Sequence, residues 1–301
     1  MIPIDKIVAV DKMQRYIEEH LQEQITMHDL ATCTAYSSFH ATKLFKDLLG
    51  ITPYEYIRKL RLSKAAVELW DNDQRVLDTA INYVFDSHEG FTRAFSKQFG
   101  LTPSQYKKET PYVQLFKPNP IRDHYRLIQG NNPISNKKEI TKTYFTHVIE
   151  FPKRKLIYKP SYSDADNYFD YVSDIGCDVW GILCSVKEAL YEPVGLWFPK
   201  SLKPKGCSEY VQGVEVPLSY NKEIPEDFKI LELPACSMMV FQGAPYDDEL
   251  YAHAIAYLDQ EITNYNPTMY GYQWDDEAAP AFQMEPCDYR GYIEARPVKP
   301  L

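Results

Sequence analysis

Two stretches of this chain, set fifty positions apart, decide the fold of its first third. Residues 37–56 read SSFHATKLFKDLLGITPYEY, and residues 87–106 read SHEGFTRAFSKQFGLTPSQY. An internal repeat of this density indicates one structural unit used twice. The positions identical in both copies are Ser37, Thr42, Phe45, Gly50, Thr52, Pro53 and Tyr56, which return as Ser87, Thr92, Phe95, Gly100, Thr102, Pro103 and Tyr106.

Each copy predicts a helix, a stop and a second helix. Ser37 and Ser87 are favourable N-cap residues. Gly50 and Gly100 favour a helix end. Capping-box patterns with proline at the first helical position then start a new helix at Thr52 and at Thr102. Apolar residues at helical spacing predict the buried stripes Ala41, Phe45, Leu48 and Phe91, Phe95, Phe99.

The opposite face of each repeated helix carries side chains suited to DNA, because they can read base edges or pair with phosphates. A short helical segment precedes each one, at 27–32 and 76–83, which predicts two helix-turn-helix units. The alternative is a pair of solvated helix faces, but equal register in a duplicated unit favours DNA. The candidate DNA-binding residues are Phe39, Thr42, Lys43 and Lys46 in the first copy, and His88, Glu89, Gly90 and Arg93 in the second.

Residues from about 9 to 108 resemble the AraC/XylS DNA-binding domain. The resemblance lies in Leu30-Ala31, Tyr36 to His40, Gly50 to Pro53, Arg61-Leu62 and the run from Phe91 through Gly100 to Tyr106. It implies an all-α N-terminal domain over 1–110, in which one long helix joins two helix-turn-helix units. This chain departs from the family pattern at Ala35 and Val84, where glycine is usual. A positive φ at either residue would cost about 1 kcal/mol.

Charge is distributed unevenly along the 301 residues. The net charge is −9, with 33 basic and 42 acidic residues; residues 1–110 hold 14 basic and 15 acidic ones, so the acidity lies mostly beyond the repeat. No apolar run is long enough to span a membrane, and the N-terminus lacks a secretory pattern. Six cysteines without metal-like spacing suggest free thiols. We therefore expect a cytoplasmic protein without metal or cofactor.

The amino-acid composition of the chain changes after Lys108. Pro111, Pro118, Pro120 and Pro133 mark a linker over 111–140. From 141 to 301, seven short β-branched or aromatic segments and two helical stretches, 164–175 and 247–264, predict an α+β domain with two similar halves. The predicted strands are 143–151, 153–159, 192–198, 210–216, 228–233, 236–241 and 291–296.

Aromatic side chains are concentrated beyond residue 110, with 18 of the 24 tyrosines and three of the four tryptophans. Such side chains build pockets for planar or cationic ligands, although an aromatic-rich core is the alternative. The predicted effector pocket consists of Trp180, Trp197, Tyr210 and Trp274, with Glu215 or Glu285 as its acid. Glu192 and Glu294 are further candidate carboxylates.

Residues 143–299 look like the GyrI-like effector-binding domain, chiefly through the segments from Tyr210 to Val216 and from Gly291 to Val298. The resemblance implies a duplicated strand-helix-strand-strand fold whose groove binds drug-like ligands. The family often has Phe-Glu near its final strands, where this chain has Phe282-Gln283. Both a cationic and a neutral ligand therefore stay open.

No Ser-His-Asp arrangement, phosphate loop or metal motif suggests an enzyme. The sequence predicts a transcription regulator that binds double-stranded DNA and a small aromatic effector, with RNA polymerase as a further candidate partner. The alternative is a small-molecule sensor, or a GyrI-like hydrolase, whose helix-turn-helix domain mainly contacts another protein.

Overall fold

The computed structural model describes residues 3–71, 73–118, 139–247 and 250–301. The chain divides into two compact units, Met1–Pro133 and Ile134–Leu301. The first unit is helical and the second is dominated by an antiparallel sheet, so the predicted α plus α+β layout is confirmed at that level.

The helices of the first unit follow the predicted caps. Ser37 and Ser87 accept N-cap hydrogen bonds, Gly50 and Gly100 adopt φ of 74° and 79°, and both capping boxes form. The helices are α1 (Ile4–Glu19), α2 (Met27–Thr32), α3 (Ser38–Leu49), α4 (Pro53–Glu68), α5 (Val76–Asn82), α6 (His88–Phe99) and α7 (Pro103–Glu109).

Residues 111–118, the start of the predicted linker, pack onto this first unit. Val113 and Leu115 are buried, and the Phe116 ring meets Tyr56 edge to face at 5.1 Å. The Phe116 backbone N–H donates to Ser63 Oγ on α4 at 2.7 Å. This stretch therefore adds to the core behind α4. The remaining predicted linker residues, 119–138, lie outside the described residues.

Val84 follows α5 in the left-handed region, with φ of 60°. Its N–H donates to the Ile81 carbonyl, and the Phe85 N–H donates to the Ala80 carbonyl. These two bonds form a Schellman motif, whose left-handed position normally belongs to glycine. The departure at Val84 thus falls on a strained residue, whereas Ala35 is not among the described residues with positive φ.

Nine strands among the described residues form one antiparallel sheet in the second unit, in the order β1-β6-β9-β8-β3-β4-β2-β5, with β7 beside β9. Their bounds are β1 (Tyr144–Phe151), β2 (Arg154–Lys159), β3 (Val194–Trp197), β4 (Tyr210–Pro217), β5 (Lys229–Leu233), β6 (Cys236–Gly243), β7 (Tyr272–Trp274), β8 (Ala281–Met284) and β9 (Ile293–Pro300).

The ends of this sheet are joined through the chain. β1 pairs with β6 up to Phe151↔Cys236, and the same register resumes in β2 and β5 at Arg154↔Leu233. β1–β2 and β5–β6 therefore act as two long bent strands that pair along their whole length. Because β2 also pairs with β4, and β6 with β9, the sheet curls back on itself.

Helices α8 (Tyr168–Ile175), α9 (Asp178–Leu183) and α10 (Tyr251–Asn264) complete the second unit. α8 packs on β4, with the Tyr171 and Tyr210 rings 5.7 Å apart, and α10 packs on β6 through Leu258 and Phe241. The central strands β3 and β8 lie between those two strands in the sheet order. We call the sheet surface over β3 and β8, between the two strands that the helices cover, the groove.

Candidate functional site

The first candidate site is the outer stripe of α3. Phe39 is 75% exposed, unusual for so large an apolar side chain, and Lys43 and Lys46 are exposed as well. Thr42 is half-buried and donates its hydroxyl to the Ser38 carbonyl at 2.8 Å. Opposite this stripe, Phe45 is fully buried. Packing thus fixes the direction in which the stripe faces.

The matching stripe of α6 combines both charge signs. His88, Glu89 and Arg93 are exposed, and the Gly90 N–H donates to the N-cap Ser87 Oγ at 3.0 Å. Glu89 and Arg93 lie one helical turn apart, yet no ion pair between them is found among the described residues. Both side chains are therefore available to a partner.

The exposed stripes of α3 and α6 occupy equivalent positions in the two copies of the repeated unit. Phe45 and Phe95 occupy the same buried position in α3 and α6, so Lys43 and Arg93 occupy equivalent exposed positions. An arginine at such a position can bond guanine O6 and N7, and a lysine can pair with guanine or phosphate. The predicted DNA-binding residues thus share the two exposed helix faces; their DNA contacts stay a prediction.

The predicted aromatic pocket residues fall into separate groups. Trp197 and Tyr210 are paired across β3 and β4, with rings 5.2 Å apart, and Trp197 Nε1 donates to the Asp166 carbonyl. Trp274 belongs to another cluster, 6.3 Å from Phe241. Trp180 is half-buried on α9. The structure therefore brings two of the four together, and their shared pocket stays a prediction.

The predicted pocket acids have other contacts. Glu215 and Arg154 are each 1% exposed and form an ion pair, in which Arg154 also donates to the Pro234 carbonyl at 3.1 Å. Burial lowers the pKa of Arg154, but the adjacent carboxylate raises it, and the net direction is upward. Glu285 is half-buried and its backbone carbonyl accepts from Arg290. Arg290 also holds Glu192 through two hydrogen bonds.

A row of polar residues crosses the floor of the groove. Gln212 on β4 pairs with Gly195 on β3, Gly195 pairs with Gln283 on β8, and Gln283 pairs with Glu294 on β9. Directly opposed residues of neighbouring strands share one face of a sheet. These four residues, which we call the polar row, therefore point to the same side.

Two tyrosines are tied to the polar row by Gln283. Its Nε2 donates to the Tyr210 hydroxyl at 3.0 Å, and its Oε1 accepts from the Tyr292 hydroxyl at 2.7 Å. The Tyr210 ring reaches Gln283 by lying over Gly195, where a Cβ would collide with the hydroxyl. Both phenols are buried, and burial raises the pKa of each well above its usual value.

Glu294 is 5% exposed, and its Oε1 accepts from Arg296 Nε at 3.0 Å. Burial raises the pKa of Glu294, while Arg296 acts in the opposite direction without cancelling it. The Tyr292 hydroxyl lies 3.4 Å from the other carboxylate oxygen.

The two helices each begin with a tyrosine near this network. Tyr168 and Tyr251, both half-buried, are close enough to Tyr210 to add to its raised pKa after burial itself. A small depression nearby is lined in part by Tyr246, Tyr257 and Tyr292. Sequence reasoning named Tyr210 and Glu294 but gave no role to Gln212, Gln283 or Tyr292, which belong to the same network. The repeated pattern of tyrosine, one residue, then Gln or Glu at 210–212 and 292–294 could have identified them.

Within the described ranges, no helix combines the length and the apolar character that a bilayer span requires.

A family model and several known proteins are similar to this chain. A family model described as a helix-turn-helix domain matches residues 30–109. The Right origin-binding protein of Escherichia coli K12 is 38% identical over 119 residues, which cover 40% of this chain and 41% of that protein. A solved structure of a probable AraC family transcriptional regulator from Rhodopseudomonas palustris is 27% identical, with a TM-score of 0.32, and the match covers 34% of this chain and 95% of that one.

The chain spans about two fifths of the length of several curated relatives that it matches. Shorter relatives are matched over two thirds of their length or more. The probable transcription factor PqrA of Proteus vulgaris is 39% identical over 102 residues, which cover 33% of this chain and 84% of PqrA. On this match and the helix-turn-helix family model, the chain belongs to the AraC family of helix-turn-helix transcriptional regulators.

Proposed function

We propose that this chain regulates transcription by binding operator DNA through residues 1–110 and by sensing a small molecule through a GyrI-like domain over 141–301. The observation that carries the proposal is the pair of exposed stripes at equal positions of α3 and α6, in a chain of the AraC family. Residues 111–140 would connect the two functions. RNA polymerase is a further proposed partner, reached from the DNA-bound state.

The DNA half of the proposal follows from the geometry of helix-turn-helix recognition. Two recognition helices on one unit enter successive major grooves when their centres are about 34 Å apart, which corresponds to a site of about 20 bp. Phe39, Thr42 and Lys43 would read one half of this site. Glu89 would accept from a cytosine amino group, and Arg93 would donate to guanine.

The sensing half rests on the groove between α8 and α10. Its polar row and its tyrosines offer a planar ligand several hydrogen bonds beside aromatic surfaces. Pockets for small molecules commonly combine aromatic walls with a few convergent polar groups. The half-buried Trp197, Tyr168 and Tyr251 would supply the walls, and the buried Tyr210 and Tyr292 the floor.

DNA binding is tested by selecting sites for the full chain from random duplexes and footprinting the selected site. We expect two protected major grooves, one helical turn apart. A single protected groove would contradict the two-helix interpretation. If no duplex is selected, the helical unit does not read DNA sequence, and the alternative of a protein-contacting unit is favoured.

Sensing is tested by a thermal-shift screen of the full chain against a metabolite and drug library. A ligand that binds the folded state raises the melting temperature in proportion to its occupancy. Hits that alter the affinity for the selected duplex would support an effector role. A screen without hits would contradict the sensing role, and turnover of a hit would favour the hydrolase alternative.

A further inference from the structure

The charge balance of the groove indicates which kind of ligand it takes. Cation-binding aromatic sites combine ring faces with uncompensated negative charge. In this groove Glu294 is the acid of the polar row, and it is already paired with Arg296. Arg296 also lies 3.8 Å from Asp259, but that carboxylate is 62% exposed, so solvent screens its charge.

The buried Glu215 and the half-buried Glu192 of this unit follow the same rule. Glu215 is neutralised by Arg154, and Glu192 by Arg290. A buried carboxylate with an arginine partner has little remaining attraction for a second cation, because the two charges cancel at short range. These three carboxylates therefore offer a cationic ligand no free counter-charge.

Two uncharged hydrogen-bonding groups at the floor of the groove are buried and, in the ranges that the structure describes, unpaired. The Tyr210 oxygen accepts from Gln283, so its own O–H proton is available, and no acceptor for it is found among the described residues. Gln212 is 2% exposed, and its Oε1 has no hydrogen-bond partner within the described part of the chain. A buried amide oxygen without a partner costs free energy that a ligand donor would recover.

Gly195 brings these two groups close to each other. It lies between Gln212 and Gln283 in the polar row, and because it has no side chain the Tyr210 ring can lie over it. A ligand group that reaches the Tyr210 hydroxyl would meet this donor and, beside it, the acceptor of Gln212. A hydroxyl or an amide has both functions, and neither carries charge.

We infer that the groove takes an uncharged aromatic ligand carrying a hydroxyl or an amide, in preference to an aromatic cation. This inference rests on the sensing role proposed above and specifies its ligand class. The preference for an uncharged ligand follows from two observations: the acid of the polar row is already paired with an arginine, and the Tyr210 hydroxyl donor and the Gln212 acceptor are unpaired among the residues described.

The test compares two compounds of one shape that differ by one charge, 4-tert-butylphenol and (4-hydroxyphenyl)trimethylammonium. Titration calorimetry on the full chain should show at least tenfold tighter binding of the neutral phenol. Equal binding, or tighter binding of the cation, would overturn the inference. Binding of neither probe, while the library screen yields hits, would overturn it as well.

Two variants connect the preference to the groove. Gln283→Glu adds an unpaired carboxylate between Tyr210 and Tyr292 and should shift the ratio of the two affinities at least tenfold towards the cation. Tyr210→Phe keeps the ring but removes the hydroxyl donor, and it should lower the affinity for the neutral phenol about fivefold to tenfold. Tyr158→Phe, a buried tyrosine outside the polar row, is the matched control and should change neither affinity.

Circular dichroism melts show which variants are folded, and Tyr210→Phe decides the question if Gln283→Glu does not fold. An unchanged affinity ratio in folded Gln283→Glu, or unchanged phenol binding in Tyr210→Phe, would refute the assignment to this groove. A library screen without any hit refutes the sensing role itself. A screen whose hits are all aromatic cations refutes only the ligand class.

Discussion

Replacement of Val84 tests how much strain the second helix-turn-helix unit carries. A left-handed backbone costs an L-residue about 1–2 kcal/mol, and a β-branched side chain does not reduce that cost. Val84 adopts φ of 60°, held by the two hydrogen bonds of its Schellman motif. The Val84 side chain is also half-buried. Val84→Gly therefore removes both the backbone strain and the side-chain packing, and this variant alone does not separate their effects on stability.

The comparison of Val84→Gly with Val84→Ala does separate them, because both variants lose the isopropyl group. Alanine ordinarily stabilises a site over glycine by about 0.4–1 kcal/mol through the unfolded chain. At residue 84 the left-handed penalty of about 1–2 kcal/mol reverses this order. We expect the glycine variant to be more stable than the alanine variant by about 0.5–1 kcal/mol.

Urea denaturation of the full chain, followed by circular dichroism at 222 nm, measures this difference. Ala35 supplies the control, since it is the other departure from the family's glycines and is not among the positive-φ residues. Ala35→Gly should therefore destabilise the protein by about 0.4–1 kcal/mol. An alanine variant at 84 that is as stable as the glycine variant would refute the assignment of strain to this turn.

Three further predictions concern DNA reading, the packed segment and the buried acid. Arg93→Ala should reduce the binding free energy by about 1–3 kcal/mol at one base position of the selected site, while Lys97→Ala should lower the affinity for all DNA sequences alike. Gel-shift titrations on single-base variants of the site distinguish the two patterns. Leu115→Ala should destabilise the helical unit by about 2–5 kcal/mol, because the side chain is buried. Gln114 is exposed, so Gln114→Ala should change the stability little in the same urea titration. Equal effects of the two substitutions would show that the segment is not packed. Burial raises the pKa of Glu294, so the folded state holds its proton to higher pH than the unfolded chain, and the stability from this group is lost as pH rises through the folded pKa. Between pH 4 and 8, the melting temperature of Glu294→Gln should accordingly rise relative to that of the wild type as pH rises. A difference in melting temperature that stays constant over this range would contradict the raised pKa.

The helical unit could be predicted from the sequence because its determinants are local. The N-cap serines, the capping boxes and the glycine stops act within one or two turns, and each occurs twice at the same spacing. The packing of residues 112–116 was missed, because its proline-rich flanks resemble a linker and its partners Tyr56 and Ser63 lie far away in the sequence, on α4. Contacts that bridge some fifty residues leave no periodic signal.

The sheet could be predicted less completely. The longer strands appear as β-branched and aromatic runs, but β7 and β8 have only three and four residues and were missed, as was α9. Their strand character depends on pairing with β9 and β3, which the sequence does not reveal. Arg154 shows the same limit, because a charged residue in a strand is expected at the surface, and its partner Glu215 lies 61 positions away.

The polar row follows from the similarity of the two halves of the second unit. β4 contributes Tyr210 and Gln212, and β9, with the residue before it, contributes Tyr292 and Glu294 in the same spacing. The halves meet where β3 pairs with β8, so the row continues from one half into the other.

The two halves differ at that junction, because β3 carries Gly195 where β8 carries Gln283. Two long side chains at neighbouring positions would fill the centre of the floor, and two glycines would leave it without polar contacts. One of each lets the Tyr210 ring lie over Gly195, beside an amide that orients both tyrosines. An asymmetric floor built on a symmetric sheet can therefore hold a ligand in one orientation, and the hydrogen-bonding group of the proposed ligand would lie beside the Tyr210 hydroxyl.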